Sequence, residues 1–464
     1  MGRRVLSLVA LLTFLLPVSP VAAQETGGPV YIVQAGDTLS SIAARFDVTL
    51  DDLMAANDIT DPNLLSAGQE LVIPGMEGVN GVLVTEVVQF GDSYRSLLRR
   101  LQVSEALLRK LNRLVSPTEL YAGISLIVPQ ESGTTGFNSR AAVSNGESLL
   151  ELAVRQNTDP WTLAQVNQLP GTWSALPGNV LYFSSPTPRL AANALPPVFQ
   201  QVEVGPLPLK QGGTAVIRIQ APAEVALSGL LADHPLRFFS EPEGVYVALQ
   251  GIHALLSPGP YPLRLEAALP DGSKQSFEQM ILVVSGNYPA EELYVEPNTI
   301  DPVVTEPENQ QILSLTAPAT PTRYWTGVFT SPAFYPDCFT SRYGTRRIYH
   351  GLNTDTEING FHTGLDFCGG EGLPITAPAP GQVVFAGPLT VRGNATIIDH
   401  GQGVYSGFWH QSSIQVTVGQ MVEQGQVIGV VGGTGRVTGA HLHWEVWVNG
   451  VQVNPMDWLE QSYP

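Results

Sequence analysis

A chain of 464 residues has room for about three domains, since one domain usually takes roughly 100–200 residues. With 44% hydrophobic residues it can bury real cores, which excludes a largely disordered protein. Its formal net charge of −18, with no stripe of Lys and Arg, excludes nucleic acid as the main partner, because neutralising phosphates takes clustered positive charge.

The first 23 residues read as a processing signal. Arg3 and Arg4 form a basic start, Val5–Leu16 an apolar core, and Pro17–Pro20 a break. Val21-Ala22-Ala23 then places small residues at a cleavage site, so the mature chain is expected to be Gln24–Pro464, outside the cytoplasm. The apolar core is shorter than the ~20 residues that span a bilayer, so no membrane span is expected after processing. Cys338 and Cys368 are the two cysteines. In an oxidising compartment an even pair reads as a disulfide, and the CxxC spacing of structural zinc sites is missing.

The first half repeats with a period of 55 residues, seen in Gly36, Gly91 and Gly146 and again in Asn57, Asn112 and Asn167. Thr49/Ser104/Asp159, Gly68/Gly123/Gly178 and Leu71/Leu126/Leu181 keep the same step, so three copies of one small module are expected. Each copy reads as strand, helix, helix, strand. Thr49, Ser104 and Asp159 stand where N-caps would open the second helix, Pro160 takes the first helical position, and Gly68 turns the chain into the closing strand "ELVIP". The segment "YIVQAGDTLSSIAARFDVTLDDLMAANDI…LSAGQELVIP" resembles the LysM domain over 30–74, and degenerate likenesses follow at 84–129 and 142–185. The resemblance implies α+β modules that bind the N-acetylglucosamine-containing glycan of peptidoglycan or chitin beside the first turn. Copies two and three are either further binders or spacers.

Residues 196–285 alternate in runs such as "TAVIRIQ", "GVYVALQ" and "FEQMILVV", joined by Pro- and Gly-rich turns and by the Asp-Gly hairpin signal of "LPDGSK". That pattern predicts an all-β, Ig-like sandwich used for positioning. His234 and His253 stand alone there and read as structural or surface residues. Residues 286–330, with "VEPNTIDPVVTEPENQ", predict an extended linker.

From 331 to 461 glycine and strand patterns predict a mainly antiparallel β domain, and six of the chain's eight histidines lie between 350 and 443. "HTGLD" sets His362 and Asp366 four apart, "GVYSGFWHQS" carries His410, and "GAHLHWEV" places His441 and His443 two apart. Strand alternation turns His441, His443 and Glu445 to one face, away from Leu442 and Trp444. Two histidines and one aspartate are a donor set suited to Zn2+, with one position left for water. The HxGxD and HxH motifs, with "SRYGTRR" at 341–347, resemble lysostaphin/LytM-type zinc endopeptidases, which cut peptide cross-links in peptidoglycan. By that resemblance His362, Asp366 and His443 would be metal ligands and His410 and His441 the catalytic pair. Which of the two is the base stays open, with His441 preferred.

His350 and His400 are expected outside the site, His350 in a loop that could meet substrate. Glu445 is expected to support a ligand or to face solvent. HExxH is absent, which excludes the helical zinc-protease class. "VGQMVEQGQVIGVVG" resembles half of a biotinyl/lipoyl barrel, but no lysine follows Lys274 to carry such a cofactor. The expected function is thus a secreted, wall-binding zinc endopeptidase of peptidoglycan. A non-catalytic envelope scaffold that activates another hydrolase and a glycan-binding protein acting through its LysM copies are the alternatives.

Overall fold

The structure is a computed structural model that describes residues 28–76, 79, 81–101, 103–114, 120–130, 137–144, 146–177, 179–187 and 193–464. The expected leader, 1–23, and Gly178 of the third repeat lie outside the described residues. Among the described residues no helix is long and apolar enough to cross a membrane. The chain divides into two compact units, one formed by residues up to Val84 with a short stretch from Pro129, the other by the rest.

In the first unit the strand Val30–Ile32 pairs antiparallel with Glu70–Val72, and the helices Leu39–Phe46 and Leu50–Ala56 lie between them in sequence. Thr38 and Ser41 close a capping box and Thr49 caps the second helix, satisfying backbone N–H groups that the helices cannot. Tyr31, Leu39, Ile42, Phe46, Leu53 and Leu71 fill the core.

The second unit holds the other two repeats. The helices Tyr94–Leu101 and Glu105–Asn112 form the second, with Ser104 as a cap. The third pairs Ser139–Ala142 with Val180–Phe183 around the helices Leu149–Arg155 and Pro160–Val166, the latter capped by Asp159. Its opening strand starts three residues before the expected boundary at 142. The repeated asparagine explains the shared architecture. Its amide oxygen accepts from the closing strand, at 2.7 Å from Val72 N, 2.6 Å from Ile127 N and 2.8 Å from Tyr182 N. Its NH2 donates to the helix carbonyl four residues back and to that same strand, so one side chain ties helix to strand in all three copies.

The first turns of the copies differ. A Cβ at Gly36 or Gly146 would meet nothing within 4 Å, whereas one at Gly91 would strike Leu195. Gln279 also bonds Gly91 N and Asp92 O, and Ala194 N donates to Gly91 O, so the second copy's turn is covered by the following domain.

That domain has two sheets, Gln201–Gly205, Thr214–Gln220, Val245–Gly251 and Phe239–Glu241 in one, Gly259–Ala268 and Lys274–Val284 central in the other. Ile217, Ile219 and Ala248 meet Leu263, Leu265 and Ile281 in a common core, which Phe90 and Ala122 of the second copy also enter.

The C-terminal domain is built from β1 (Ala290–Val295), α1 (Pro302–Thr316), β2 (Phe339–Ser341), β3 (Arg346–Gly351), β4 (Glu357–Phe361), β5 (Leu365–Phe367), β6 (Gly381–Leu389), β7 (Gly393–Gly401), β8 (Val404–Gln411), β9 (Met421–Val422), β10 (Leu442–Val448), β11 (Val451–Val453) and α2 (Pro455–Glu460). The main sheet runs β2-β5-β10-β8-β7-β6-β9, with β11 beside β10, all antiparallel. Residues 286–330, expected to be an extended linker, instead contribute β1, which pairs parallel with β3, and α1. Asp301 caps α1 and Pro302 opens it, and Ile312 is buried with Ile397, Tyr405, Trp409 and Trp447 of the sheet. The composition that discourages isolated structure is overridden by these tertiary contacts.

Candidate metal centre

The cross-strand register assembles the site. On β5 Asp366 lies opposite His443 of β10, and on β8 Trp409 lies opposite the same histidine, with His410 next in line. His362 sits just before β5, its backbone N–H and C=O bonded to the 344–345 turn. Leu442 and Trp444 face the main core while His443 and Glu445 face the site, as the strand alternation predicts. The glycine of "HTGLD" has a steric reason: a Cβ on Gly364 would collide with Trp444 O and lie 2.8 Å from His443 Nε2. The Cys338–Cys368 disulfide forms, and it joins the residue before β2 to the residue after β5, two positions from Asp366.

His362, Asp366 and His443 converge. His362 Nε2 is 3.0 Å from Asp366 Oδ1 and 3.1 Å from His443 Nδ1, and His443 Nδ1 is 2.7 Å from Asp366 Oδ1. All three residues are buried and their donor atoms fit around one ion. The outer ring nitrogens face oxygens that can only accept, so each carries its N–H, while the inner nitrogens lie against Asp366 Oδ1 and are the ones a metal would take in place of a proton. His362 Nδ1–H donates to Arg342 O at 3.0 Å, which leaves Nε2 as the ligand atom. His443 Nε2–H donates to Glu445 Oε1 at 3.2 Å, which leaves Nδ1. Such outer oxygens orient metal-binding imidazoles and raise their basicity.

His410 and His441 flank the cluster. Their ring centroids are 5.1 Å apart, and His410 lies 6.2 Å from His443. His410 Nδ1–H donates to Thr434 O and His441 Nδ1–H to Gly439 O, each at 2.8 Å, so both rings keep an Nε2 lone pair. His441 Nε2 is 3.4 Å from Asp366 Oδ1. His350 lies elsewhere, stacked on Tyr294 and near Glu292 and Glu357. His400 is also outside, bonded to Pro380 O and Ser406 Oγ. His253 packs edge-on against Phe361, one residue before the first expected ligand.

The buried carboxylates and imidazoles are tightly coupled. Burial opposes ionisation of Asp366, yet His443, His362 and His441 outweigh it and hold its carboxyl far below the usual range. Burial likewise opposes charge on Glu445, and His443 still draws it down to about 2. Burial disfavours a proton on His443, but Asp366 and Glu445 push it up to about 9. Two buried carboxylates facing two imidazoles are a donor set that fits a divalent ion with nitrogen and oxygen preferences.

Residues 360–455 match peptidase family M23, and residues 31–74 and 87–129 match the LysM domain. The C-terminal domain is an M23 domain. Over 95 residues the chain is 44% identical to the DD-carboxypeptidase/endopeptidase Mpg of Neisseria meningitidis serogroup B, covering 20% of this chain and 22% of the relative. It is 43% identical to the peptidoglycan DD-endopeptidase ShyA of Vibrio cholerae, over the same shares of 20% and 22%. The chain thus matches about a fifth of the length of these relatives. Among solved structures, the catalytic domain of lysostaphin from Staphylococcus simulans is 26% identical, with TM-score 0.21, covering 29% of this chain and 92% of that one.

The M23 domain brings together every residue singled out at the site and adds supports that sequence alone did not reveal. Glu445 is fully engaged, accepting from Thr363 Oγ1 at 2.6 Å, Trp447 Nε1 at 2.9 Å and Gln452 Nε2 at 3.2 Å. Thr363 lies inside "HTGLD" and Trp447 follows the strand alternation, so both carried a signal; Gln452 on β11 carried none. Arg342, within the "SRYGTRR" motif, contributes a backbone oxygen, which no side-chain pattern advertises.

Proposed function

We propose that the chain is a zinc-dependent endopeptidase that hydrolyses peptide cross-links or bridges of peptidoglycan outside the cytoplasm. The observation that carries the reading is the convergence of His362, Asp366 and His443 with two further imidazoles beside them, inside an M23 domain. The names of the relatives, DD-endopeptidases, favour a bond between D-configured residues of a cross-link over a glycine bridge.

In this reading His362 Nε2, Asp366 Oδ1 and His443 Nδ1 hold Zn2+. When bound, zinc supplies Lewis acidity, polarising a scissile carbonyl and acidifying a water in reach. His441 Nε2, beside the ligand oxygen of Asp366, accepts the proton of the attacking water and returns it to the leaving amine. His410, with Nδ1–H fixed on Thr434 O, presents a neutral Nε2 on the other flank, where it accepts a hydrogen bond from the attacking water and orients it. Glu445 holds His443 in the tautomer that leaves Nδ1 free.

The remaining organisation belongs to the same proposal. The 30–74 module, whose first turn is open, binds glycan strands, and the covered turn makes 84–129 a structural spacer. Residues 142–185 form a third LysM-like module on the strength of the shared asparagine bonds, and 196–285 an Ig-like sandwich. The test incubates purified peptidoglycan with the full-length, zinc-loaded chain, with and without chelator, beside His443→Ala. New amino groups from the intact protein alone are expected. No release by the loaded protein would refute the reading, and release that survives the chelator would refute the metal.

A further inference from the structure

Helix α1 lies outside the stretch that matches the peptidase family, yet one of its side chains holds the turn between β6 and β7 inside that stretch. Glu308 is 6% exposed, and its carboxylate accepts from Val391 N at 2.8 Å, Arg392 N at 3.1 Å and Arg392 Nη1 at 2.9 Å. Asn309 Oδ1 accepts from the same Nη1 at 3.1 Å. A buried carboxylate is costly unless such charge-assisted bonds satisfy it, so this helix is committed to the turn between β6 and β7.

That turn in turn holds His410. His410 has φ +63°, in the left-handed region that few residues other than glycine occupy. The β7–β8 ladder shifts register here, since Thr396 pairs with Phe408 but Asn394 with Gln411, so regular pairing does not fix the residue. Instead His410 N donates to Arg392 O at 2.9 Å, and its ring donates to Thr434 O. Thr434 is bound to the same turn, because its Oγ1 accepts from Asn394 N at 2.8 Å, and Arg436 N donates to Val391 O, also at 2.8 Å. The Arg392 guanidinium lies 5.5 Å over the ring of Trp409, the neighbour of His410. His410 is thus anchored twice beside the 391–394 turn, its backbone N–H by Arg392 O and its ring by Thr434 O, and Glu308 grips that turn by two backbone N–H groups and one side chain.

We propose that Glu308 is a positioning residue for His410: by fixing the 391–392 turn it holds the imidazole in one place and one tautomer at the metal centre. The proposal rests on the endopeptidase reading for its kinetic consequence, but not for its structural one. Glu308 touches no ligand residue, so its loss leaves zinc stoichiometry intact. Displacing a reacting group by about 1 Å can cost roughly 100-fold in rate, so the effect falls on kcat and leaves KM unchanged.

The experiment compares full-length wild type, Glu308→Ala and Glu308→Gln, each alone and combined with His410→Ala. Imidazole nitrogen NMR on the metal-free protein reads the tautomer of His410, and cleavage of cross-linked peptide by the zinc-loaded protein reads kcat and KM. Wild type is expected to show a single Nδ1–H form, Glu308→Ala a mixture of tautomers, and Glu308→Gln, which keeps an acceptor, a partial return. The alanine variant should lose about tenfold or more in kcat, and no further loss should appear when His410 is already alanine. A wild-type-like His410 spectrum in Glu308→Ala, or an equal kcat loss in both backgrounds, would overturn the proposal. If Glu308→Ala does not fold, Glu308→Gln decides by the same two readouts. Should the wild type cleave nothing, the endopeptidase reading falls, and the spectra alone decide the positioning.

Discussion

Glu445 bonds Nε2 of His443, and because that nitrogen is thereby protonated, Nδ1 is the atom left for a metal. The carboxylate is itself held by Thr363, Trp447 and Gln452, so its orientation is fixed before any ion arrives. Glu445→Gln removes the charge that favours His443 in this tautomer, and a zinc affinity lower by about 10–100-fold is expected. Competition with a chromogenic chelator measures it, and an unchanged affinity would mean that Glu445 only fills space. His400 makes a different residue-scale prediction. Burial lowers its pKa from 6.5 to about 4, so between those values the unfolded chain binds the proton that the folded chain refuses. Stability is therefore complete above pH 6.5 and falls with pH through that window, by about 3 kcal/mol in all. Urea unfolding at pH 7 and pH 4.5 should show the wild type losing about 2–3 kcal/mol more than His400→Gln. Equal losses would assign the acid sensitivity elsewhere.

At the scale of single elements, what could be read from the sequence is what local periodicity encodes. The alternation of "HLHWEV" placed His443 and Glu445 on one face because a strand has a period of two, and the register with β5 and β8 then delivered Asp366 and His410. The 55-residue step exposed the modules because the same asparagine, cap and turn recur at fixed offsets. Residues 286–330 show the opposite case. Nothing in "DPVVTEPENQ" announces a helix beyond the Asp301 cap and Pro302, since Pro307 sits inside it and the burial of Ile312 depends on residues about ninety positions away. His410 leans on a backbone oxygen, and His362 on another beside Ser341 Oγ, and backbone oxygens are invisible to any reading of side-chain types. The repeated asparagine is the element-scale feature most open to test. Asn167→Ala leaves Tyr182 N and two carbonyls without their partner, which should destabilise the third module by about 2–4 kcal/mol. Hydrogen exchange over 149–183 should accelerate while amides of the 30–74 module keep their rates; unchanged exchange over 149–183 would deny the asparagine its structural role.

Across the second unit, the sandwich and the M23 domain are bound as one body. Val247, Leu249 and Ala254 of the sandwich belong to the same buried cluster as Phe367, Trp444, Trp458 and Tyr463. Asn454 N donates to Gly212 O at 2.7 Å, Asn449 Nδ2 to Gln250 Oε1 at 2.6 Å, and a Cβ on Gly251 would lie 2.8 Å from Val451. A spacer joined by a free linker would show none of this, and residues 196–285 instead share the core of the C-terminal domain. The consequence concerns how the molecule comes apart. Two domains with separate cores unfold in separate steps, whereas a continuous apolar core couples them. Residues 196–464 should therefore melt in a single calorimetric transition, and Leu249→Ala, made in the sandwich, should lower that whole transition, costing about 2–4 kcal/mol through the cavity it opens. Residues 331–464 expressed alone would present the uncovered faces of Trp458, Tyr343 and Phe361 to water, and should aggregate or bind a hydrophobic dye. Two resolved transitions in 196–464, with only the first displaced by Leu249→Ala, would show instead that the M23 domain stands without its neighbour.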